Sequence, residues 1–430
     1  MDRKISPADS LSGVVRLPGD KSISHRYAML ASIAEGRSEI HNYSSGADCA
    51  STLACMRALG VPIEQRGDRV TVEGVGLDGL QRASKALDAG NSGSTIRMLS
   101  GILAGQPFAT NIFGDESLTR RPMQRIMTPL AAMGAKIDAR DGNYPPLVIH
   151  GGKLTPIDYV SPVASAQVKS AVLFAGLFAP GTTSVTEPVA TRNHSEIALR
   201  ELGADVRVDG LRVAIQGRPR MTGRRLDVAS DISGAAFFLV AGLLLPGSDL
   251  TIEGVGLNPT RTALLDVLRS MGATIEILRS EARNGEIVGD LRVRSPASGA
   301  AIDGGVIAGD MTAGVIDEIP VLAVLGACSR QGLEIRDAAE LRVKETDRIA
   351  TVAENLGRMG VAVETFPDAM RIPGNQKLRA AELDSFGDHR IAMAFVVAAL
   401  AADGPCTMRD AEAASVSFPE FYEVLEGLRG

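Results

Sequence analysis

Residues 165–178 read SAQVKSAVLFAGLF, a polar opening followed by a stretch that is apolar nearly all the way round a helix. A helix without a polar face is buried on every side rather than lying on the protein surface. Pro180 and Gly181 end this pattern, because proline cannot continue a helix and glycine tolerates the left-handed backbone of a helix cap. The stretch therefore predicts a buried core helix that begins at Ser165-Ala166-Gln167.

Five other stretches of the chain repeat this pattern at a nearly regular spacing. Each has a polar opening, a dense run of Ala, Leu and Val, a glycine and then a short β-like run. Self-similarity at a steady period is strong evidence of a repeat architecture. The six openings are Asp20-Lys21-Ser22, Asn91-Ser92-Gly93-Ser94, Ser165-Ala166-Gln167, Asp231-Ile232-Ser233, Asp317-Glu318 and Asp388-His389-Arg390.

A second helix, with charged residues on one face, follows each buried helix. Each repeat therefore reads as strand, buried helix, strand, surface helix and strand pair. The predicted second helices are Cys49–Leu59, Met123–Met133, Asn193–Leu202, Thr260–Met271, Thr346–Met359 and Pro419–Leu428. Six such units predict an α/β protein with two lobes of three repeats each. The first lobe is 20–228; the second is 1–19 with 229–430, because the strand-like Gly13–Leu17 is expected to return to it.

The composition is typical of a globular enzyme and not of a nucleic-acid-binding or membrane protein. A chain of 430 residues is too long for one core, and its net charge of −6 gives no electrostatic case for nucleic acid as a partner. Met1-Asp2-Arg3-Lys4 does not lead into the apolar core of a signal peptide, and the longest apolar run, Ile391–Ala402, is shorter than the roughly 20 residues that span a bilayer. We expect a cytoplasmic monomer with four free cysteine thiols.

Basic residues cluster at the starts of the buried helices. A helix start carries unpaired N–H groups and about half a positive charge, so it binds anions. If the buried helices run parallel, their starts are expected to converge on one cleft. The basic residues expected there are Lys21, Arg26, Arg97, Lys169 and Arg390, with Lys344 and Arg348 on a nearby segment and Arg120 and Arg121 on a loop. They predict a small ligand with phosphate and carboxylate groups.

Simpler interpretations exist for the same residues. A lone Lys or Arg is usually solvated at the surface, and Lys344–Arg348 can be a charged helix start with i,i+4 pairing. Gly19-Asp20-Lys21-Ser22 is not a nucleotide-binding phosphate loop, because Val14 stands where that loop needs a glycine. The five histidines show no ligand spacing with cysteines or carboxylates, so we expect neither a metal nor a cofactor.

Three segments closely resemble the signatures of the 3-phosphoshikimate 1-carboxyvinyltransferase (EPSP synthase) family. They are residues 17–26 (LPGDKSISHR), 90–97 (GNSGSTIR) and 341–349 (LRVKETDRI). Further matches in the family's order are Arg121-Pro122, Ser165-Ala166-Gln167, Asp317, Asp388-His389-Arg390 and Ser417-Phe418-Pro419. The resemblance covers essentially the whole chain. It implies the two-domain enolpyruvyl transferase fold, in which each domain has three βαβαββ units around buried parallel helices.

The resemblance also implies an activity and a set of site residues. Such an enzyme transfers the enolpyruvyl group of phosphoenolpyruvate to the 5-hydroxyl of shikimate 3-phosphate and releases phosphate, in the biosynthesis of chorismate and aromatic amino acids. Asp317 is the expected acceptor of the hydroxyl proton, and Glu345 and Lys21 are candidates for proton transfer at the methylene carbon. The residues implied for shikimate 3-phosphate are Lys21, Ser22, Arg26, Ser165, Ala166, Gln167, Arg192, Asp317 and Lys344. Those implied for phosphoenolpyruvate are Lys21, Gly93, Arg121, Gln167, Arg348 and Arg390.

Two positions depart from part of the family. Val416 stands where some members have a lysine that reaches the phosphate of phosphoenolpyruvate, and Glu340 stands where some have asparagine. The contacts of those side chains are not carried over. Gly93 matters for inhibition, because in this family glyphosate occupies the phosphoenolpyruvate site and an alanine at this position is associated with insensitivity.

Two alternative functions remain open from the sequence. The sister enzyme UDP-N-acetylglucosamine 1-carboxyvinyltransferase shares the fold and the donor, but its loop carries a cysteine acid, and Gly114–Arg125 has no cysteine. A non-catalytic anion-binding protein on the same repeats would be expected to lose the acid and base residues, yet Asp317 and Glu345 are present.

Overall fold

The computed structural model describes residues 1–429, which divide into two compact units. We call Gly19–Ala229 together with Arg283–Glu286 the first unit. The second unit comprises Met1–Pro18, Ser230–Ala282 and Ile287–Gly430. Among the described residues there is no helix with the length and apolar character needed to cross a membrane.

Helices of two kinds alternate along the chain, as the repeats predict. The apolar helices that begin at the six polar openings are buried over most of their length, and a half-exposed helix follows each of them. The α-helices of residues 1–429 are α1 (Lys21–Ser32), α2 (Ala47–Ala58), α3 (Gly93–Ala104), α4 (Gln124–Ala132), α5 (Ala166–Gly176), α6 (His194–Glu201), α7 (Ile232–Leu244), α8 (Ala263–Ser270), α9 (Asp310–Gly314), α10 (Ile319–Cys328), α11 (Arg348–Arg358), α12 (His389–Leu400) and α13 (Phe421–Glu426). Short 3₁₀ helices occupy Leu118–Arg120, Ala339–Val343 and Ala411–Val416.

Most of the strands are short. In the first half of the chain they are β1 (Arg3–Ile5), β2 (Ser12–Arg16), β3 (Glu35–His41), β4 (Ile63–Arg66), β5 (Arg69–Val75), β6 (Leu87–Asp88), β7 (Ala109–Phe113), β8 (Lys136–Arg140), β9 (Tyr144–His150), β10 (Asp158–Val160), β11 (Thr182–Thr186), β12 (Val206–Asp209) and β13 (Arg212–Gln216). The remaining strands are β14 (Arg225–Asp227), β15 (Asp249–Gly256), β16 (Ile275–Arg283), β17 (Glu286–Arg294), β18 (Gly305–Ile307), β19 (Leu333–Ile335), β20 (Glu364–Phe366), β21 (Ala369–Ile372), β22 (Glu382–Asp384) and β23 (Cys406–Arg409).

The strands form small sheets, one for each repeat. In the first unit their orders are β14-β3-β5-β4, β6-β7-β9-β8 and β10-β11-β13-β12. In the second unit they are β16-β17-β15-β2, β18-β19-β21-β20 and β1-β23-β22. Each sheet contains one parallel pair of strands. A buried helix connects the two strands of some pairs, such as β6 and β7, as a crossover. The strands of other pairs, such as β2 and β15, are distant in the chain. Each repeat thus covers its buried helix with a sheet.

Three sheets contain a strand from a distant part of the chain: besides β2 beside β15, these strands are β14 and β1. β14, at the end of the 19–229 segment, pairs in parallel with β3 and takes the place of the strand that precedes α1 in sequence. β1 pairs antiparallel with β23, with Ile5 opposite Cys406. The sixth repeat therefore has a three-stranded sheet closed by the start of the chain instead of a strand pair of its own.

The buried helices begin where the sequence analysis placed them, and most of them are capped by their own side chains. Asp20, Ser92, Ser165, Asp231 and Asp388 each accept a hydrogen bond from a backbone N–H of the first turn. Glu318, before α10, makes no such cap. These caps satisfy N–H groups that water cannot reach in a buried helix start.

Most of the second helices are shorter than the sequence predicts, whereas α2 (Ala47–Ala58) is one residue longer than the predicted Cys49–Leu59. The prediction of Thr260–Met271 was wrong at its start, because α8 begins only at Ala263. The carboxamide Oδ1 of Asn258 accepts hydrogen bonds from the backbone N–H and the hydroxyl of Thr260, at 3.0 and 2.8 Å. A side chain that bonds the backbone ahead of it in this way holds the chain in a turn and delays the helix.

The prediction of free cysteines is confirmed. Cys49, Cys55 and Cys406 are buried, Cys328 is partly buried, and none of them forms a disulfide. Burial raises the pKa of the Cys55 thiol to about 12 and that of the Cys328 thiol to about 11, because a thiolate is poorly solvated in the core. These thiols are therefore packing groups and not nucleophiles.

The cap of α1 gives a test of the role of the helix starts. Asp20 is buried and its Oδ1 accepts from the N–H of Ile23 at 2.9 Å. We expect Asp20→Ala to lower the free energy of unfolding by about 0.5–2 kcal/mol, whereas Asp20→Asn, which keeps the accepting oxygen, should lose less. Thermal unfolding of the two variants measures this, and equal midpoints for Asp20→Ala and the unmodified protein would contradict it.

Candidate active site

The start of α1 brings together three of the residues implied for shikimate 3-phosphate. Lys21 is mostly buried and its Nζ lies 2.9 Å from Oδ2 of Asp48, on α2. Arg192, just before α6, donates from Nη1 to the hydroxyl of Ser22 at 3.5 Å. The start of α1 thus carries an ammonium group and has a guanidinium at the Ser22 hydroxyl, an arrangement that favours an anion.

Arg26, one turn further along α1, is buried but is held by neutral groups. Its Nε donates to the hydroxyl of Ser195 at 2.7 Å, and its two Nη atoms donate to the Ser22 carbonyl and the Ser170 hydroxyl, both at 2.9 Å. Burial lowers the pKa of Arg26 to about 10, although the nearby negative charge of Glu196 opposes this shift. The pKa falls because a desolvated guanidinium without a contacting carboxylate is costly. An anionic ligand would relieve that cost.

Lys169, also expected in the cationic group, has a different environment. Its Nζ is buried between two carboxylates, at 2.8 Å from Glu187 Oε2 and 2.7 Å from Glu196 Oε1. Two carboxylates more than neutralise one ammonium. The prediction that Lys169 adds to an anion-binding field is therefore wrong, and this residue ties α5 to α6 as a structural ion cluster.

The start of α3 collects the first-unit residues implied for phosphoenolpyruvate. Arg97 donates from Nη1 to Oε1 of Gln167 at 2.7 Å, and Gln167 donates from Nε2 to the hydroxyl of Ser94 at 3.0 Å. Arg121 donates to the side-chain oxygen of Asn91 at 2.9 Å. Two guanidiniums and two carboxamides are thus held beside a helix start.

Gly93 lies against both of these guanidiniums. A Cβ built at Gly93 would lie 3.0 Å from Nη1 of Arg97 and 3.4 Å from Nη1 of Arg121. The absence of a side chain therefore leaves the backbone N–H groups and both arginines open to one small anion.

Three other residues from the sequence analysis, Ser165, Ala166 and Arg120, lie at the start of α5 or in the segment before α4. Ser165 caps α5 by accepting from the N–H of Val168 at 3.4 Å, and the partly buried Ala166 is the first residue of that helix. Arg120 was expected beside Arg121 but is largely exposed and pairs with Glu116. Of the two loop arginines, only Arg121 points its charge towards the α3 start.

In the second unit, Asp317 and Lys344 form a polar pair at the start of the α10 segment. Nζ of Lys344 lies 3.4 Å from Oδ1 of Asp317 and 3.4 Å from Oε1 of Glu340. Glu340 is the residue that departs from the asparagine of some family members, and here it shares the ammonium of Lys344. Asp317 is only partly buried, so both of these groups are accessible to a small molecule.

Arg348 is the most strongly neutralised cation of the group. Its Nε lies 2.8 Å from Oδ2 of Asp388, and its Nη2 lies 2.7 Å from Oε2 of Glu345. Burial disfavours the charged guanidinium, but the carboxylates of Asp388 and Glu345 outweigh burial and raise the pKa of Arg348. Its buried Nη1 makes no hydrogen bond and lies 3.6 Å from Oδ1 of Asp317.

Arg390, at the start of α12, lies close to a second buried carboxylate. Its Nη1 lies 3.7 Å from Oε1 of Glu318, which also lies 3.6 Å from Nη2 of Arg261. The hydroxyl of Ser233 bridges this group by donating to Glu318 and accepting from Arg261. Two arginines share one carboxylate here, which leaves a net positive charge.

The sequence analysis missed the acidic partners of these cations. Asp48, Asp388 and Glu318 hold Lys21, Arg348 and Arg390, and none was assigned such a role. Asp388 and Glu318 belong to the quoted helix openings, which is a usable signal, whereas Asp48 lies in no such opening. Within residues 1–429 no group of three or more His, Cys, Asp or Glu side chains is arranged to hold a metal ion.

Comparison with known proteins connects this arrangement to one family. The family model described as EPSP synthase (3-phosphoshikimate 1-carboxyvinyltransferase) matches residues 5–425. The 3-phosphoshikimate 1-carboxyvinyltransferase of Solibacter usitatus is 65% identical over 426 residues, with 99% of each chain covered. The enzyme of the same name from Koribacter versatilis is 52% identical, with 98% of each chain covered.

Solved structures give the same result for the fold. EPSP synthase from Acinetobacter baumannii superposes with a TM-score of 0.88 at 40% identity and covers 100% of this chain and 98% of that one. The enolpyruvyl transferase NikO from Streptomyces tendae is similar in fold, with a TM-score of 0.80 at 21% identity. The match covers 99% of this chain and 96% of that one. Fold, sequence and signature residues agree, and the chain belongs to the EPSP synthase (3-phosphoshikimate 1-carboxyvinyltransferase) family.

Proposed function

We propose that this chain transfers the enolpyruvyl group of phosphoenolpyruvate to the 5-hydroxyl of shikimate 3-phosphate and releases phosphate. The observation that carries the proposal is Arg26, a buried guanidinium whose hydrogen bonds all go to neutral oxygens. Such a group favours a site that is completed by an anionic substrate. Both substrates of this reaction are small and multiply charged.

Shikimate 3-phosphate is proposed to bind at the start of α1 and the residues around it. Hydroxyls, ammonium groups and guanidiniums are suitable donors to a phosphate group, and Ser165 and Gln167 can bond the ring hydroxyls. The proposed residues are Lys21, Ser22, Arg26, Ser165, Ala166, Gln167 and Arg192 of the first unit and Asp317 and Lys344 of the second.

Phosphoenolpyruvate is proposed to bind at the start of α3 and at the arginines of the second unit. Gly93 leaves space beside two guanidiniums, and Arg348 keeps one donor, Nη1, without a hydrogen bond. The proposed residues are Lys21, Gly93, Arg121 and Gln167 of the first unit and Arg348 and Arg390 of the second. Arg121, Arg348 and Arg390 suit the donor's phosphate and carboxylate because guanidinium can bond both in a bidentate manner.

The reaction is an addition followed by an elimination. A proton is added to the methylene carbon of phosphoenolpyruvate, and the 5-hydroxyl oxygen bonds to the adjacent carbon and loses its proton. The tetrahedral intermediate then loses phosphate and one methyl proton, which restores the double bond. We assign acceptance of the hydroxyl proton to Asp317 and proton transfer at the methylene carbon to Glu345 and Lys21. No metal or cofactor is proposed, and the enzyme is proposed to act as a monomer.

A comparison of acceptors tests the function. Phosphate release from phosphoenolpyruvate should require shikimate 3-phosphate and should not occur with UDP-N-acetylglucosamine. Release with UDP-N-acetylglucosamine alone would favour the sister enzyme. Binding of both anions without release from either would favour a non-catalytic anion-binding protein. Activity should also survive dialysis against a strong chelator.

Arg26 provides a prediction for binding. Arg26→Ala removes several charge-assisted hydrogen bonds, so we expect KM for shikimate 3-phosphate to rise by about tenfold or more, with a smaller change for phosphoenolpyruvate. Arg66→Ala is the matched control, since Arg66 is an exposed arginine of the first unit that pairs with Glu64. Steady-state phosphate release measures both variants, and equal kinetics for the two would contradict the role of Arg26.

Asp317 and Glu345 provide a prediction for the chemical step. Asp317→Ala and Glu345→Gln should each lower kcat by about 10²–10⁴-fold, the usual effect of losing a positioned proton-transfer group. Affinity for shikimate 3-phosphate should change less in Glu345→Gln than in Arg26→Ala. Single-turnover phosphate release and calorimetric binding separate the two effects. Wild-type turnover in both carboxylate variants would exclude the assignment.

Gly93 provides a prediction for inhibition. We expect glyphosate to inhibit in competition with phosphoenolpyruvate, and Gly93→Ala to weaken inhibitor binding more than substrate binding, because the new methyl group would lie against Arg97 and Arg121. Gly357→Ala is the control, since a Cβ there meets nothing within 4 Å. Identical inhibition of the unmodified protein and Gly93→Ala would show that Gly93 does not set the response.

A further inference from the structure

Four fully buried side chains link α1, α2 and the start of α3. Nδ1 of His25 lies 2.7 Å from the hydroxyl of Thr52, which lies 2.7 Å from the hydroxyl of Thr95. Thr95 in turn donates to the hydroxyl of Ser92 at 2.7 Å. We call this chain the His25–Ser92 relay.

The relay has a defined direction, because each hydroxyl has one proton to donate. Thr95 gives its proton to Ser92, so it must accept one from Thr52. Thr52 has then used its proton and must accept one from His25. Nδ1 of His25 therefore carries a proton, and the ring is neutral because burial lowers the pKa of His25 well below its ordinary value. The reverse direction would put a proton on Nε2, which is buried and has no hydrogen-bond partner.

The two ends of the relay lie at the two proposed binding regions. His25 is on α1, next to Arg26 in the sequence and one turn after Lys21 and Ser22. Ser92 is the N-cap of α3 and also accepts from the backbone N–H of Thr95 at 3.0 Å, and Gly93 follows it directly. The relay therefore joins the helix assigned to shikimate 3-phosphate to the helix start assigned to phosphoenolpyruvate.

We propose that His25 is a positioning residue, which as its Nδ1–H tautomer holds the Ser92–Gly93 start of α3 in place relative to α1 through Thr52 and Thr95. This rests on the proposed function, because it deepens the assignment of the α3 start to phosphoenolpyruvate. His25 touches no substrate, since it is fully buried among the helices. Its influence on the reaction passes through the cap of α3 and the backbone at Gly93.

The relay itself is tested without any activity measurement. Long-range ¹H–¹⁵N NMR of ¹⁵N-histidine-labelled protein distinguishes protonated from unprotonated ring nitrogens. With five histidines in the chain, the His25 signals are assigned by their loss in His25→Asn. We expect Nδ1 to be protonated and Nε2 unprotonated at neutral pH. A proton on Nε2, in the other tautomer or in the charged ring, would overturn the proposal.

The positioning role is tested at Thr52, which lies outside the proposed binding residues. Thr52→Val removes the central hydroxyl at nearly constant volume, whereas Thr52→Ser keeps it. We expect Thr52→Val to raise KM for phosphoenolpyruvate by at least about tenfold, with KM for shikimate 3-phosphate within about threefold, because small displacements of a binding group cost that much. Thr52→Ser should keep both KM values near those of the wild-type protein. An equal rise in the KM values for both substrates would contradict positioning of the α3 start. The same KM for phosphoenolpyruvate in Thr52→Val and Thr52→Ser would also contradict it.

A second pair of variants probes the same bond from the histidine. The amide nitrogen of Asn can reach the place of Nδ1, whereas that of Gln reaches the place of Nε2. His25→Asn should therefore preserve the phosphoenolpyruvate KM better than His25→Gln, and the reverse order would contradict the relay. Wild-type protein that releases no phosphate would refute the proposed function and with it the positioning role, while the NMR result would still decide the relay.

Discussion

The buried start of an apolar helix is the constraint on which the rest of this structure depends. Such a helix leaves N–H groups where water cannot reach them, so its first turn must contain or approach polar atoms. Asp20, Ser92, Ser165, Asp231 and Asp388 meet this need within the chain. The same N–H groups and helix dipole favour a bound anion. The starts of the buried helices therefore serve both folding and substrate binding.

Burial then divides the basic residues into two classes. Lys169 and Arg348 are surrounded by carboxylates; Lys169 connects helices, whereas Arg348 also keeps one nitrogen, Nη1, without a hydrogen bond. Arg26 is equally buried, but neutral hydroxyl and carbonyl oxygens hold it. Since a buried guanidinium that contacts no carboxylate is costly, the second class favours a bound anion at the start of α1. Sequence position alone does not separate the classes, because Lys169 and Arg26 both lie within the first two turns of a buried helix.

The sequence predicted the helices and the family better than it predicted the partners of the charged groups. All six buried helices begin at the polar openings, because a cap followed by an apolar run is a local signal. The borrowed strands β14 and β1, and the contacts of Lys21 with Asp48 or of Lys169 with Glu187, were not foreseen. These depend on which distant segments meet in space, and no local pattern encodes that. The late start of α8 was missed because a single Asn258 side chain decides it.

An anionic substrate is expected to complete the start of α1. The most direct measurement is a crystal structure of the protein with shikimate 3-phosphate bound. We expect an anionic oxygen of the ligand to lie within hydrogen-bond distance of Ser22 or of a free donor of the Arg26 guanidinium. A bound ligand whose phosphate makes no contact with Lys21, Ser22, Arg26 or Arg192 would contradict it.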